Sequence, residues 1–150
     1  MFILPLNASY QGDTIPDCIF CKIIKGEIPS HKIYEDRNVF AMLDINPVNK
    51  GHALVLPKKH SADFSDMADD DIKNAFVAAK KIADAVIKGT GAAGYNLGMN
   101  NRKAAGQLVM HSHLHIIPRF EGDGLKHWPS KKYAEGEAEK VRAGIAKEIL

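Results

Sequence analysis

Three histidines, His111, His113 and His115, occupy alternate positions in one short segment of the chain. If this segment is a β-strand, its two-residue period places all three imidazoles on one face and leaves Leu114 and Ile116 for a buried opposite face. Imidazole ionises near neutral pH, so such a row can attack an electrophile, donate a proton, orient a neighbour or bind a metal. The alternative is a histidine-rich sheet edge that has no function. The apolar residues on the opposite face favour a reactive surface instead.

Two cysteines, Cys18 and Cys21, have the spacing of paired thiolates that bind tetrahedral zinc. Two histidines from elsewhere in the chain would complete such a site. A redox dithiol and a pair of inert buried thiols are the other interpretations. Redox pairs follow a strand and begin a long helix, and nothing strand-like precedes Cys18.

Hydrophobic periodicity and turn residues predict the elements that position these groups. The predicted strands cover residues 32–35, 39–44, 52–57, 95–99 and 108–117. A short helix is predicted over 18–25. A long helix begins at Asp69-Asp70-Asp71 and stops at Gly89, and its apolar stripe comprises Ile72, Phe76, Ala79, Ala83 and Val86. A terminal helix carries Val141, Ile145 and Ile149 on one side. Since strands mostly adjoin one another in sequence, we expect an α+β domain with an antiparallel sheet of roughly five strands.

Composition excludes several classes of protein. The chain has 150 residues and a formal net charge of +2 with scattered lysines, which argues against a nucleic-acid surface. Its apolar start ends at Leu6 and lacks basic residues, so we expect neither a signal peptide nor a membrane span, and a cytoplasmic location. Residues 17–150 are expected to form the single domain, and residues 1–16 a flexible arm.

The run 111–119, preceded by Gly106 and Gln107, resembles the signature of the histidine triad (HIT) superfamily of nucleotidyl hydrolases and transferases. Segments 17–24, 26–29, 43–47 and 51–60 also look like family blocks, in family order. Together they cover most of residues 17–119. The likeness is greatest to the bacterial branch allied to purine nucleoside phosphoramidases and dinucleoside polyphosphate hydrolases.

The resemblance implies the HIT fold and a two-step reaction on purine nucleotides. A histidine attacks the α-phosphorus of a phosphoramidate, dinucleoside polyphosphate or aminoacyl adenylate, and water then releases the nucleoside monophosphate. By similarity His113 is the nucleophile, His115 hydrogen-bonds phosphate oxygens, and His111 lies behind the nucleophile or holds a metal. Gln107 and Asn100 would contact phosphate.

A nucleotide pocket is also implied. Asp44 matches the family position that accepts hydrogen bonds from the ribose hydroxyls. The apolar residues that match the purine pocket are Ile19, Phe20, Ile23, Ile28, Leu43 and Ile45. Without the resemblance, Asn100 would be a turn residue, Asp44 a loop cap and the apolar set ordinary core.

Many bacterial members of the family bind structural zinc through positions that correspond here to Cys18, Cys21, His60 and His111. Four protein ligands leave no open position for water, so the resemblance implies a structural ion and not a catalytic one. It also implies a homodimer and no organic cofactor.

Two positions depart from the family pattern. Leu108 stands where many relatives carry Ser or Thr, whose hydroxyl can assist the leaving group, and Ser112 replaces an apolar residue. Among the remaining histidines, His52 is expected to hydrogen-bond His111, whereas His31 and His127 are expected on the surface.

The sequence thus predicts a purine nucleotidyl hydrolase. One alternative is a metal-dependent hydrolase whose histidine row binds a catalytic ion. The other is a non-enzymatic, zinc-stabilised module that binds nucleotides or proteins.

Overall fold

A computed structural model describes residues 17–149 of the chain. Its helices are α1 (Ile19–Ile24), α2 (Asp69–Thr90) and α3 (Glu137–Ala146). Its strands are β1 (Lys32–Glu35), β2 (Val39–Leu43), β3 (Ala53–Pro57), β4 (Gly94–Gly98) and β5 (Leu114–Arg119). The strands form one sheet in the order β1-β2-β3-β5-β4, and every neighbouring pair is antiparallel. The predicted α+β class with a five-stranded antiparallel sheet is confirmed.

The two faces of the sheet carry different helices. Helix α2 covers one face, where its alanines and Ile82 pack against inward side chains such as Val55 and Ile116. Helix α1 covers part of the other face, where Phe20 and Ile23 pack against Leu54 and its neighbours. Since both faces of the central strand β3 are buried, this strand reads as a continuous apolar run rather than an alternating one.

Helix α2 differs in two details from the prediction. It runs through Gly89 and ends at Thr90, and Gly91 caps it with a φ of 72°, the left-handed conformation common after a helix. The periodicity predicts Phe76 in the apolar stripe, but Phe76 is exposed, and the buried stripe consists mainly of Ala75, Ala79, Ile82 and Val86. Small side chains let the helix lie close to the sheet, and the bulkier phenylalanine falls outside that contact.

Strand β5 begins at Leu114, so the prediction of a strand from residue 108 is wrong for its first part. The backbone N–H of Ser112 donates to the carbonyl oxygen of Ser61 at 2.7 Å, which draws this segment away from the sheet ladder. From Leu114 onward the prediction holds. Leu114 and Ile116 lie in the α2 core, while His115 pairs with Leu54 on the α1 side. The other strands match within one residue.

The C-terminal part of the described chain stays on the surface. Helix α3 forms near its predicted place, but none of its residues is buried, and Val141, Ile145 and Ile149 are exposed. Residues 1–16, predicted to form an arm, lie outside the described residues. No helix within residues 17–149 combines the length and the apolar character needed to span a bilayer.

Candidate active site

The three histidines line up along the α1 side of the sheet, although only His115 lies in a strand. The ring of Phe20 meets the rings of both His111 and His113 edge to face, with centroid distances of 6.0 and 5.1 Å. The rings of His113 and His115 are adjacent, with centroids 4.8 Å apart. The shared face that the alternate spacing predicts is therefore present, and α1 supplies its packing partner.

The tautomer of His113 follows from one backbone contact. Its Nδ1 lies 2.6 Å from the carbonyl oxygen of His111, and a carbonyl only accepts, so Nδ1 carries the ring proton. The lone pair of the neutral ring is then on Nε2, which has no hydrogen bond. Within residues 17–149 no fully buried side-chain nitrogen or oxygen lacks a partner, so Nε2 is open to solvent. Burial lowers the pKa of His113, which favours this nucleophilic neutral form.

His111 has the opposite tautomer to His113. Its Nε2 donates to the carbonyl oxygen of Pro57 at 2.8 Å, so its lone pair is on Nδ1. Nδ1 lies 3.5 Å from the Sγ atoms of both Cys18 and Cys21. The side chain has no exposed surface, and this burial lowers its pKa to about 4. His111 is thus a neutral imidazole with its lone pair directed at two sulfur atoms.

The four expected zinc ligands come together in this region. The ligand atoms of Cys18, Cys21, His60 and His111 all lie within 4.8 Å of one another. Cys18 caps α1 by accepting from the backbone N–H of Cys21, and Sγ of Cys21 lies 3.4 Å from Nδ1 of His60. Two thiols and two imidazole nitrogens form a donor set typical of structural zinc. The residues present therefore fit the ion.

His115 is hydrogen-bonded to His52, and the expectation that His52 would bond His111 is wrong. Nε2 of His52 lies 2.9 Å from Nδ1 of His115, and Nδ1 of His52 lies 3.8 Å from the carboxylate of Asp44. Burial lowers the pKa of His115 to about 4, with smaller contributions from the neighbouring histidines. His52 precedes Leu54 by two residues, and Leu54 pairs with His115. That long-range register, absent from local sequence, is what brings the two rings together.

The histidine row does not converge on one ion. Among the described residues, the groups able to hold a metal are the Cys2His2 set and a second set of Asp44, His52 and His115. In the second set the two imidazoles are already hydrogen-bonded to each other, which occupies a lone pair that a metal would need. The geometry of a three-histidine catalytic metal site is not present in this part of the chain.

Gln107 is buried and holds the loop before β5 in place. Its Nε2 donates to the carbonyl oxygens of Ala62 and Val109 at 2.6 and 3.0 Å, and its Oε1 accepts from the N–H of Arg102 at 2.7 Å. Both amide hydrogens are therefore engaged within the protein. Asn100 is half-buried near Gly106, and its contact with phosphate stays a prediction, as does that of Gln107.

Arg102 was not anticipated from the sequence. It is the only residue other than glycine with a positive φ in the described part of the chain, at 68°, and its Nε donates to Asp63 at 2.7 Å. This ion pair and the Gln107 bonds tie the loop after β4 to the segment after β3. Nothing in the local pattern around Arg102 signals the ion pair, because Asp63 lies 39 positions away in the chain.

The six residues predicted for the purine pocket divide into two groups. Phe20 and Ile23 are buried in the α1 core, and Ile28 packs against it. The residues that leave apolar surface open are Ile19, at 46% exposure, Ile45, at 82%, and the half-buried Leu43. The last two flank Asp44 at the end of β2.

The two departures from the family pattern have different surroundings. Leu108 is 92% exposed. Ser112 is buried, and its hydroxyl accepts a hydrogen bond from that of Ser61 at 3.0 Å, so it links the segments that carry His60 and His111. His31 and His127 are exposed, as expected.

Comparisons with known proteins agree with this geometry. The family model described as HIT domain matches residues 25–122. An adenosine 5'-monophosphoramidase of Saccharomyces cerevisiae is 46% identical over 117 residues, which are 77% of this chain and 72% of the yeast protein.

Two crystal structures extend the likeness to the fold. A Streptococcus mutans protein superposes with a TM-score of 0.87 and 40% identity, covering 93% of this chain and 90% of its own. A zinc-bound histidine triad protein of Mycobacterium smegmatis superposes with a TM-score of 0.71 and 38% identity, covering 87% and 94%. The chain therefore belongs to the histidine triad (HIT) family.

Proposed function

We propose that the protein is a nucleotidyl hydrolase that releases a nucleoside monophosphate from purine nucleoside phosphoramidates or related phosphoanhydrides. The observation that carries this proposal is the tautomer of His113. Its proton is held on Nδ1 by a backbone carbonyl, and the free lone pair on Nε2 is open to solvent beside a second imidazole. A neutral imidazole in this state is a competent nucleophile.

The reaction consists of two successive displacements at phosphorus. In the first, Nε2 of His113 forms a bond to the α-phosphorus while the bond from phosphorus to the amine breaks, and the amine leaves with a proton from water or a neighbouring donor. In the second, water attacks the nucleotidyl-histidine, the N–P bond breaks, and the monophosphate departs. Each step needs donors for the charge that accumulates on the phosphate oxygens. His115, whose ring is adjacent to that of His113, is one candidate donor, and the half-buried Asn100 is another.

The nucleotide end of the substrate is assigned to the end of β2. Asp44 accepts from the N–H of Asn46 through one carboxylate oxygen, which leaves the other for ribose hydroxyls. The exposed Ile19 and Ile45 and the half-buried Leu43 offer apolar surface for a purine, supported from below by Phe20, Ile23 and Ile28. The yeast relative, a phosphoramidase of adenosine monophosphate, supports the assignment of the substrate class.

Zinc is proposed as a structural ion on the Cys2His2 set. When bound, it would fix α1, the segment after β3 and His111 relative to one another. His111 would then serve the reaction only through its carbonyl oxygen, which sets the tautomer of His113.

We also propose that the protein is a homodimer joined along β4. This strand forms an edge of the sheet, it carries no charge or proline, and its Tyr95 and Leu97 are exposed. An unprotected edge of this kind is suited to pairing with the same strand of a second copy.

The function is tested by hydrolysis of adenosine 5'-monophosphoramidate, followed as AMP release. We expect turnover by the unaltered protein, loss of at least about a thousandfold in His113→Ala, and near-normal turnover in the exposed control His31→Ala. Rapid quenching should trap AMP on a peptide that contains His113. Activity that disappears on chelation and returns with added metal would instead indicate a metal-dependent hydrolase. Tight binding of AMP without turnover would indicate a binding module.

A further inference from the structure

His52 is a buried histidine that takes no part in the two displacement steps of the proposed reaction. It lies directly before β3 and is 3% exposed. The preceding Gly51 has a φ of 95°, and a Cβ there would lie 2.5 Å from Cγ2 of Thr90, so only glycine fits this turn. The turn at Gly51 therefore sets the position of the His52 backbone, and the ring is buried.

Hydrogen bonds on both ring nitrogens define the tautomer of His52. The backbone nitrogen of Val48 lies 3.2 Å from Nδ1 and donates its hydrogen to it. Because a backbone N–H only donates, Nδ1 carries the lone pair and the ring proton is on Nε2. Burial lowers the pKa of His52, which agrees with a neutral ring.

The tautomer of His52 determines that of His115. Nε2 of His52, which carries the proton, lies 2.9 Å from Nδ1 of His115. His115 therefore accepts at Nδ1 and keeps its own proton on Nε2. That nitrogen makes no hydrogen bond, and since no fully buried side-chain nitrogen in residues 17–149 is unpartnered, it is open to solvent. The site then presents a lone pair on His113 beside an N–H donor on His115.

We propose that His52 is a positioning residue that keeps the proton of His115 on the nitrogen facing the substrate phosphate. This inference rests on the proposed function. An N–H group at that place stabilises the charge that develops on the phosphate oxygens as His113 attacks. The other tautomer of His115 would turn a lone pair toward the same oxygens and repel them.

The test compares two substitutions of similar size, His52→Gln and His52→Leu, in zinc-supplemented protein. The glutamine amide offers an acceptor for Val48 and a donor for His115, whereas leucine offers neither. The ¹⁵N shifts of the His115 ring report its tautomer at neutral pH, and initial rates on adenosine 5'-monophosphoramidate give kcat and KM. His31→Gln, on the surface, is the matched control, and thermal melts verify that each variant folds.

We expect the unaltered protein and His52→Gln to carry the His115 proton on Nε2. In His52→Leu we expect averaged nitrogen shifts and a fall in kcat of about 10- to 100-fold with little change in KM. The proposal is overturned if His115 carries its proton on Nδ1 in the unaltered protein. It is also overturned if folded His52→Leu keeps its kcat, or if the glutamine variant loses as much as the leucine variant. Should the unaltered protein hydrolyse no nucleotide, the proposed function fails, and the nitrogen shifts alone decide whether His52 sets the tautomer.

Discussion

Zinc removal should lower the free energy of unfolding of the folded chain. The Cys2His2 set joins three distant segments: the start of α1, His60 after β3, and His111 before β5. Cys18 and His111 are 93 positions apart in the chain. An unfolded chain does not hold these four ligands together, so zinc binds the folded state preferentially and its binding free energy adds to stability.

The size of the effect follows from linkage. A free zinc concentration 100 to 1,000 times the dissociation constant stabilises the folded state by about 2.7 to 4.1 kcal/mol. For a domain of this length each kcal/mol moves the melting temperature by about 2 to 4 °C. We therefore expect chelation to lower the melting temperature by roughly 5 to 16 °C.

Thermal melts followed by circular dichroism, with and without chelator, measure this shift. Cys18→Ser is the informative variant, because a serine hydroxyl still caps α1 but a thiolate is lost. Its melting temperature should lie near that of the chelated parent and respond little to zinc, while the surface variant His31→Asn should respond like the parent. Equal melting temperatures for parent protein with and without zinc, at confirmed metal occupancy, would refute the structural role of the ion.

Three further predictions concern Ser112, the edge strand β4 and His115. Ser112→Ala should cost about 1 kcal/mol in urea unfolding, because it removes the hydroxyl bond to Ser61, and unchanged stability would contradict this. Leu97→Lys places a charge on the exposed edge strand β4 and should shift sedimentation from dimer to monomer, whereas a persistent dimer would argue against pairing through β4. Burial lowers the pKa of His115 from 6.5 to about 4, so only the unfolded chain takes up that proton in between. The contribution of His115 to the free energy of unfolding should therefore be constant above pH 6.5 and fall as the pH drops toward 4. The chelated His115→Asn variant should lose less stability than the chelated parent over that pH range.

The elements that follow from local pattern were predictable from the sequence. Strand alternation places Leu114 and Ile116 in the core and His115 on the opposite face, because it does not depend on distant partners. The extent of β5 was predicted wrongly for residues 108–113. Their sequence is compatible with a strand, but the N–H of Ser112 finds its acceptor on Ser61, 51 positions away.

Contacts between distant segments account for the rest of what the sequence could not provide. The partner of His52 depends on the register of β3 against β5, and Phe76 is exposed because small side chains on α2 determine how the helix sits on the sheet. The resemblance to the family implies the four zinc ligands as a set. The spacing of Cys18 and Cys21 alone is compatible with zinc, a redox dithiol or inert buried thiols. The resemblance did not supply the bonds of Gln107, which are made to the carbonyls of Val109 nearby and of Ala62 in the segment after β3.

Three chemically identical side chains take three different hydrogen-bonding arrangements here through backbone groups. The carbonyl of Pro57 turns the lone pair of His111 toward the thiols, and the carbonyl of His111 leaves the lone pair of His113 open to solvent. The N–H of Val48, acting through His52, leaves His115 with a proton to donate. Backbone acceptors do not change when side chains do, so the tautomers of His111 and His113 persist through substitutions elsewhere in the site. The tautomer of His115 instead depends on the side chain of His52. A histidine moved to a neighbouring position would keep its imidazole but lose the hydrogen bond that determines which ring nitrogen carries the proton.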